Sequence, residues 1–141
     1  MFDMDGVLSD AEARQHFIKA PRPDWEAFFL ASADDPLVDE VAALLGLLSA
    51  DLAVVLLTAR PARIGPLTVD WLARHQVRWD LLVMRRDGDF RPARLFKQEA
   101  LAEIRERHLD VRLGFEDDLR NVEMLRGEGV PCLYIHSGYY D

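Results

Sequence analysis

With 141 residues, 17 basic and 25 acidic, the chain carries a formal charge of −8. That is enough material for one core, but a poor fit to long nucleic acid, which is gripped through many Lys and Arg contacts to phosphate. Half of the residues are hydrophobic and 30% are charged, a globular balance, and no apolar run approaches the ~20 residues of a membrane helix. The single cysteine, Cys132, excludes an internal disulfide and points to a reducing cytoplasm.

The chain opens on Met-Phe-Asp-Met-Asp-Gly. Asp3 and Asp5 are two residues apart, so on an extended chain both face the same side, and Gly6 lets the backbone turn directly after them. Two carboxylates this close repel unless a cation or a proton intervenes. Alone the pattern reads as a turn. Only Met1 and Phe2 precede Asp3, so the first strand is expected to be short and its ladder incomplete.

Residues 11–35 read as loop with two short helices, Ala11–Lys19 and Asp24–Leu30. Asp24 is the expected N-cap of the second, and Trp25, Phe28 and Phe29 form its apolar face. A longer helix is expected from Asp34-Asp35-Pro36, with Leu37, Val41, Leu44, Leu45 and Leu48 at helical spacing. Residues 52–57 form a continuous apolar run, the mark of a strand buried on both faces, which stops at Thr58-Ala59-Arg60-Pro61. A helix follows to about residue 75.

Next come a strand at 81–84, a turn at Asp87-Gly88 and a helix at 93–107 with Phe96, Ala100, Leu101 and Ile104 facing inward. A strand at 111–115 leads into Glu116-Asp117-Asp118. A helix from Leu119 to about residue 128 ends on Gly127 or Gly129, and a last strand covers 132–136. This alternation predicts an α/β fold: a doubly wound parallel sheet in three layers.

Ligands of such sheets collect at the carboxyl ends of the strands. Those ends offer Asp3 and Asp5, Thr58 and Arg60, Arg85 with Lys97 at the head of the next helix, and Glu116, Asp117 and Asp118. Hard carboxylate oxygens, one hydroxyl and several cations are the inventory of a magnesium-dependent phosphoryl site. Asp118 doubles as the expected N-cap of the following helix. The four histidines show no ligand spacing for zinc.

Asp3-x-Asp5-Gly6-Val7-Leu8, Thr58 after an apolar strand, Lys97, and Glu116-Asp117 after another strand resemble the four ordered motifs of the haloacid dehalogenase superfamily. Within it, Leu56-Leu57-Thr58-Ala59-Arg60, Leu82-Val83-Met84-Arg85, Gly88-Asp89, Lys97-Gln98-Glu99 and Val122-Glu123-Met124-Leu125-Arg126 resemble the phosphatase domain of polynucleotide kinase–phosphatase enzymes. The likeness spans nearly the whole chain. Val7 stands where the superfamily usually has threonine, and Glu116 where the related domains usually have a first aspartate. This leaves Glu116 and Asp117 both open as the metal ligand, with Asp117 favoured. No Gly-x-x-x-x-Gly-Lys-Ser/Thr loop occurs, so the likeness is to the phosphatase half alone.

The resemblance implies one haloacid dehalogenase-like domain over 1–141, with 11–35 as a small helical insert and minimal cap. It implies Mg2+ held by Asp3, Asp5 and Asp117, and four catalytic residues. Asp3 is the nucleophile, Asp5 the general acid and base, and Thr58 and Lys97 bind the phosphoryl oxygens; Arg60 and Arg85 contact substrate. Its substrate would be a 3′-phosphate end of nucleic acid, a nucleotide or another phosphorylated small molecule. Neither extended duplex nor membrane is an expected partner, whereas a separately encoded kinase or ligase is compatible.

Residues 85–97 carry five cations against two anions, a local +3 that reads either as a solvated turn or as a pocket for a nucleotide or a nucleic-acid end. A signalling receiver domain fits less well, because the strand before Thr58 ends in Leu56-Leu57 without an aspartate. A non-catalytic acidic module would have no use for the full set of acids, hydroxyl and amine.

Overall fold

The structure is a computed structural model that describes all residues, 1–141. Four strands run parallel: β1 (Val55–Pro61), β2 (Leu81–Arg85), β3 (Gly114–Glu116) and β4 (Cys132–Tyr134). β1 pairs with β2, and β3 with β4. Phe2 joins the two halves, forming parallel bridges to Leu56 on one side and Phe115 on the other. Its N–H donates to the Val55 carbonyl at 2.8 Å, its carbonyl accepts from Leu57 at 2.9 Å, and its ring stacks on Phe115 at 4.3 Å. The resulting order is β2–β1–Phe2–β3–β4. As expected, the first strand is short and its ladder is confined to residues around Phe2.

Six α-helices connect these strands: α1 (Gln15–Lys19), α2 (Trp25–Leu30), α3 (Asp39–Leu47), α4 (Gly65–Arg74), α5 (Ala93–Glu106) and α6 (Leu119–Gly127). Adjacent strand residues are buried among different helices, as the period of two requires. Leu56 joins Val41 and Leu45 of α3 and Trp71 and Leu72 of α4, whereas Leu57 packs with Phe96 and Ala100 of α5. Leu101 of α5 meets Val122 and Leu125 of α6 and Cys132 of β4. No helix is long and apolar enough to cross a membrane.

Several boundaries differ from the sequence reading. β3 begins at Gly114 rather than at residue 111, and β4 ends at Tyr134 rather than at residue 136. β1 begins at Val55 rather than Leu52, because the Val54 N–H is taken by the Asp80 carboxylate (2.7 Å) instead of a ladder partner. It also runs past Thr58 to Pro61, with a register shift against β2. The third helix starts at Asp39, not at Asp34-Asp35-Pro36. Asp35 is drawn inward by two guanidiniums, and Leu37 pairs antiparallel with Ser9, which holds this stretch extended. The caps at Asp24 and Asp118 form as expected, each side chain accepting a backbone N–H of its helix's first turn.

Candidate active site

The strand ends converge on one cavity of about 530 Å³. Its floor begins with the turn after Phe2. The N–H groups of Val7, Leu8 and Ser9 all donate to the Met4 carbonyl, and Met4, Val7 and Leu8 are fully buried. With Met4 pointing into the core, Asp3 and Asp5 on either side of it both reach the cavity.

The tight return is made by Gly6 at φ +81°, and a Cβ built there would lie 2.0 Å from Asp117 Oδ2. Gly6→Ala is therefore expected to cost about 1–2 kcal/mol of stability through backbone conformation alone. By displacing the Asp117 carboxylate it should also weaken divalent-metal affinity about 10–100-fold, readable by titration calorimetry.

Around this turn sit three acids and one amine. Lys97 is 1% exposed, and its Nζ lies 2.7 Å from Asp3 Oδ2 and 2.7 Å from Glu116 Oε2. Burial pulls the amine's pKa down, but the two carboxylates outweigh it and hold it above the ordinary lysine value. Burial and the neighbouring Glu116 push the Asp3 carboxyl well above its usual range, against the pull of Lys97. Burial, then the charge of Asp3, raises Asp117 to about 7.

Both Asp117 oxygens are buried without a hydrogen-bond partner; Ser137 is near enough to favour the charged form without meeting hydrogen-bond geometry. One oxygen each of Asp3, Glu116 and Asp117 lie within 4.8 Å of one another. Fully ionised, three carboxylates against one ammonium would carry two negative charges in excess. Burial together with that excess is why Asp3 and Asp117 hold protons more tightly than usual, and two of the floor's oxygens are unpartnered. These residues fit a hard divalent cation. Glu116 is already engaged by Lys97 and, at 3.4 Å, by the Asp118 N–H, so Asp117 has the free oxygens.

Asp5 belongs to a second, neutral cluster. Its Oδ1 accepts from Arg14 at 2.5 Å, from Arg60 Nη2 at 2.5 Å and Nε at 2.9 Å, and from Ser9 Oγ at 3.1 Å. Asp35 accepts from Arg14 at 2.6 Å and Arg60 at 3.3 Å. Burial would raise the Asp5 pKa, yet Arg60 and Arg14 outweigh it and hold the carboxyl well below the usual range.

Of the residues singled out from sequence, Asp3, Asp5, Thr58, Arg85 and Lys97 line the cavity. Arg60 does not: it is 0% exposed and lies behind Asp5, its guanidinium shared among Asp5, Ser9, Asp35 and Thr68. Asp117 and Glu116 lie beneath the cavity surface. Arg85 has no carboxylate partner and its Nε is buried unpartnered, whereas Arg63, Arg91 and Arg120 in the same walls each pair with an acid.

Sequence reasoning missed Arg14, Asp35 and Asn121. Ala11, Arg14, Gln15 and Ile18 fall at i, i+3, i+4 and i+7, and the first three are buried, so the helical phase placed Arg14 inward. Asn121 lines the cavity with its side-chain oxygen buried and unpartnered, one turn inside α6.

A family model described as the polynucleotide kinase PNKP phosphatase domain matches residues 1–140. No curated protein matches the chain. Among solved structures, it is 27% identical to a chain of a Pnkp1/Rnl/Hen1 complex, with a TM-score of 0.79 over 96% of this chain and 44% of that one. A chain of the Pnkp1/Rnl/Hen1 RNA repair complex gives 27% identity and a TM-score of 0.77, over 96% and 41%. The chain thus spans less than half the length of these solved chains. Its parallel α/β sheet, its acid-and-lysine floor and the match over 1–140 together establish that it belongs to the PNKP phosphatase-domain family of haloacid dehalogenase-like phosphatases.

Proposed function

We propose that this domain removes phosphate from 3′-phosphorylated ends of nucleic acid, with Mg2+ and through an aspartyl-phosphate on Asp3. The observation that carries the reading is the meeting of Asp3, Lys97 and the unpartnered Asp117 oxygens at the floor of one cavity. We read residues 1–141 as one three-layer domain, supported by the burial of Leu56 and Leu57 among different helices, with 11–35 as a small insert.

Mg2+ would be held by Asp3, Asp117 and the backbone carbonyl of Asp5, and it supplies charge neutralisation between nucleophile and phosphate. Asp3 attacks phosphorus, the bond to the 3′-oxygen breaks, and Asp5 delivers a proton to that oxygen. Water then attacks the aspartyl-phosphate while Asp5 takes its proton, releasing inorganic phosphate and regenerating Asp3. The two guanidiniums keep Asp5 in the ionised form that the second half needs. A phosphate entering beside it favours the protonated form that the first half needs. Lys97 and Thr58 stabilise the phosphoryl oxygens, Arg85 contacts the substrate from the wall, and Arg60 positions Asp5 from behind.

Phosphate release from a 3′-phosphorylated oligonucleotide, compared with its 5′-phosphorylated isomer, tests the assignment. Release with Mg2+ and none with a chelator is the expected result; no release from any phosphomonoester would overturn it. Mg2+ at about 100 times its Kd should also stabilise the fold by about 2.7 kcal/mol, and Asp117→Asn should remove most of that gain in thermal melts.

A further inference from the structure

The cavity is much larger than a phosphate group, and its walls carry aromatic rings among their charged residues. One wall is α2, where Trp25 is 53% exposed and Phe29 lies beside it, ring centroids 6.0 Å apart. The other is the loop after β2, where Phe90 is 92% exposed and stacks on no other ring. Phe90 sits between Arg86 and Arg91, in a stretch of an acidic chain that carries a net positive charge. Arg63 bonds to Glu26 of α2 at 2.5 Å and, through its backbone N–H, to Asp87 of the loop at 3.1 Å, which fixes the two walls relative to each other.

We propose that Phe90 and Trp25 are stacking platforms for bases, so that the site selects an unpaired strand end of two or more nucleotides over an isolated phosphomonoester. This rests on the phosphatase reading above. A chain of charge −8 cannot draw its affinity from the backbone of a long polyanion, whereas a base presents an apolar face to an aromatic ring whatever its sequence. Arg85, the wall cation without an acid partner, supplies the single charge contact that a short end needs. A base that lies on either ring must leave its own helical stack, which a paired end resists.

The test compares kcat/KM for a 3′-phosphorylated tetranucleotide, a 3′-mononucleotide and an aryl phosphate, in wild type, Phe90→Ala, Phe90→Trp and Trp25→Ala. The wild type should prefer the tetranucleotide to the mononucleotide by at least about tenfold. Phe90→Ala should erase most of that preference, chiefly through KM; Phe90→Trp should keep it, and aryl phosphate hydrolysis should stay within about twofold throughout. Anisotropy of a fluorescein-labelled, 3′-phosphorylated tetranucleotide in chelator, where no turnover occurs, should show Kd rising at least about fivefold in Phe90→Ala. If Phe90→Ala changes neither the preference nor Kd, the proposal is overturned. Phe90-dependent strand binding without hydrolysis of any phosphomonoester would overturn the phosphatase reading and leave the platforms standing. Aryl phosphate hydrolysis with no preference for the longer substrate would do the reverse.

Discussion

Asp3→Asn is expected to lower phosphate release by about 10⁴-fold or more, the scale on which removal of a covalent nucleophile acts. The same change should leave thermal stability in chelator unchanged or higher. The floor holds three carboxylates against Lys97 alone, so an amide at position 3 removes one uncompensated charge while Lys97 keeps Glu116 at 2.7 Å. A change that inactivates without destabilising marks a residue held in place for chemistry. A large drop in Tm with activity retained would instead make Asp3 a structural counter-ion of Lys97.

The pH dependence without metal follows from the same charges. The Asp117 pKa rises from 3.8 in the unfolded chain to about 7 in the fold, so the native state binds its proton more tightly. This contribution to stability is present below pH 3.8 and is lost as pH rises to about 7, the reverse of an ordinary paired carboxylate. Asp117→Asn should flatten that decline in chelator, measured by denaturant titration across the window.

What could be read in the chain follows from how local each signal is. Asp3 and Asp5 share a side because alternation along an extended chain is a property of two residues, and Thr58 and Lys97 were placed by a strand end and a helix start. Arg60 was assigned to the right strand end and the wrong depth. The apolar run gives no sign that β1 continues to Pro61, so Arg60 reads as a rim cation when it is buried behind Asp5. Asp35 was read with Asp34 and Pro36 as a helix start; its burial depends on Arg14, 21 residues earlier, and on Arg60, 25 residues later. No local window contains that cluster. The exposure of Phe90 was equally invisible, since the turn's own residues do not decide whether the ring folds inward or is left in water.

Arg14→Met is expected to destabilise the protein by about 3–5 kcal/mol and to lower phosphatase activity as well. Asp5, Asp35, Arg14 and Arg60 form a closed set of two negative and two positive charges, with Arg14 and Arg60 at most 2% exposed. Deleting one guanidinium leaves two carboxylates to share the other. Arg14 also donates to the Phe28 carbonyl at 3.4 Å and lies over the Phe28 ring at 4.2 Å, so it joins α2, which carries Trp25, to the acid at the floor. Its loss should therefore loosen the aromatic wall and free Asp5 together. Adding Asp35→Asn restores neutrality around Arg60, and if charge balance is what the cluster supplies, the double variant should recover at least about 1 kcal/mol over Arg14→Met alone. Strictly additive losses in urea titrations would mean that Arg14 acts through packing on Phe28. In that case activity should follow the position of α2 rather than the charge beside Asp5.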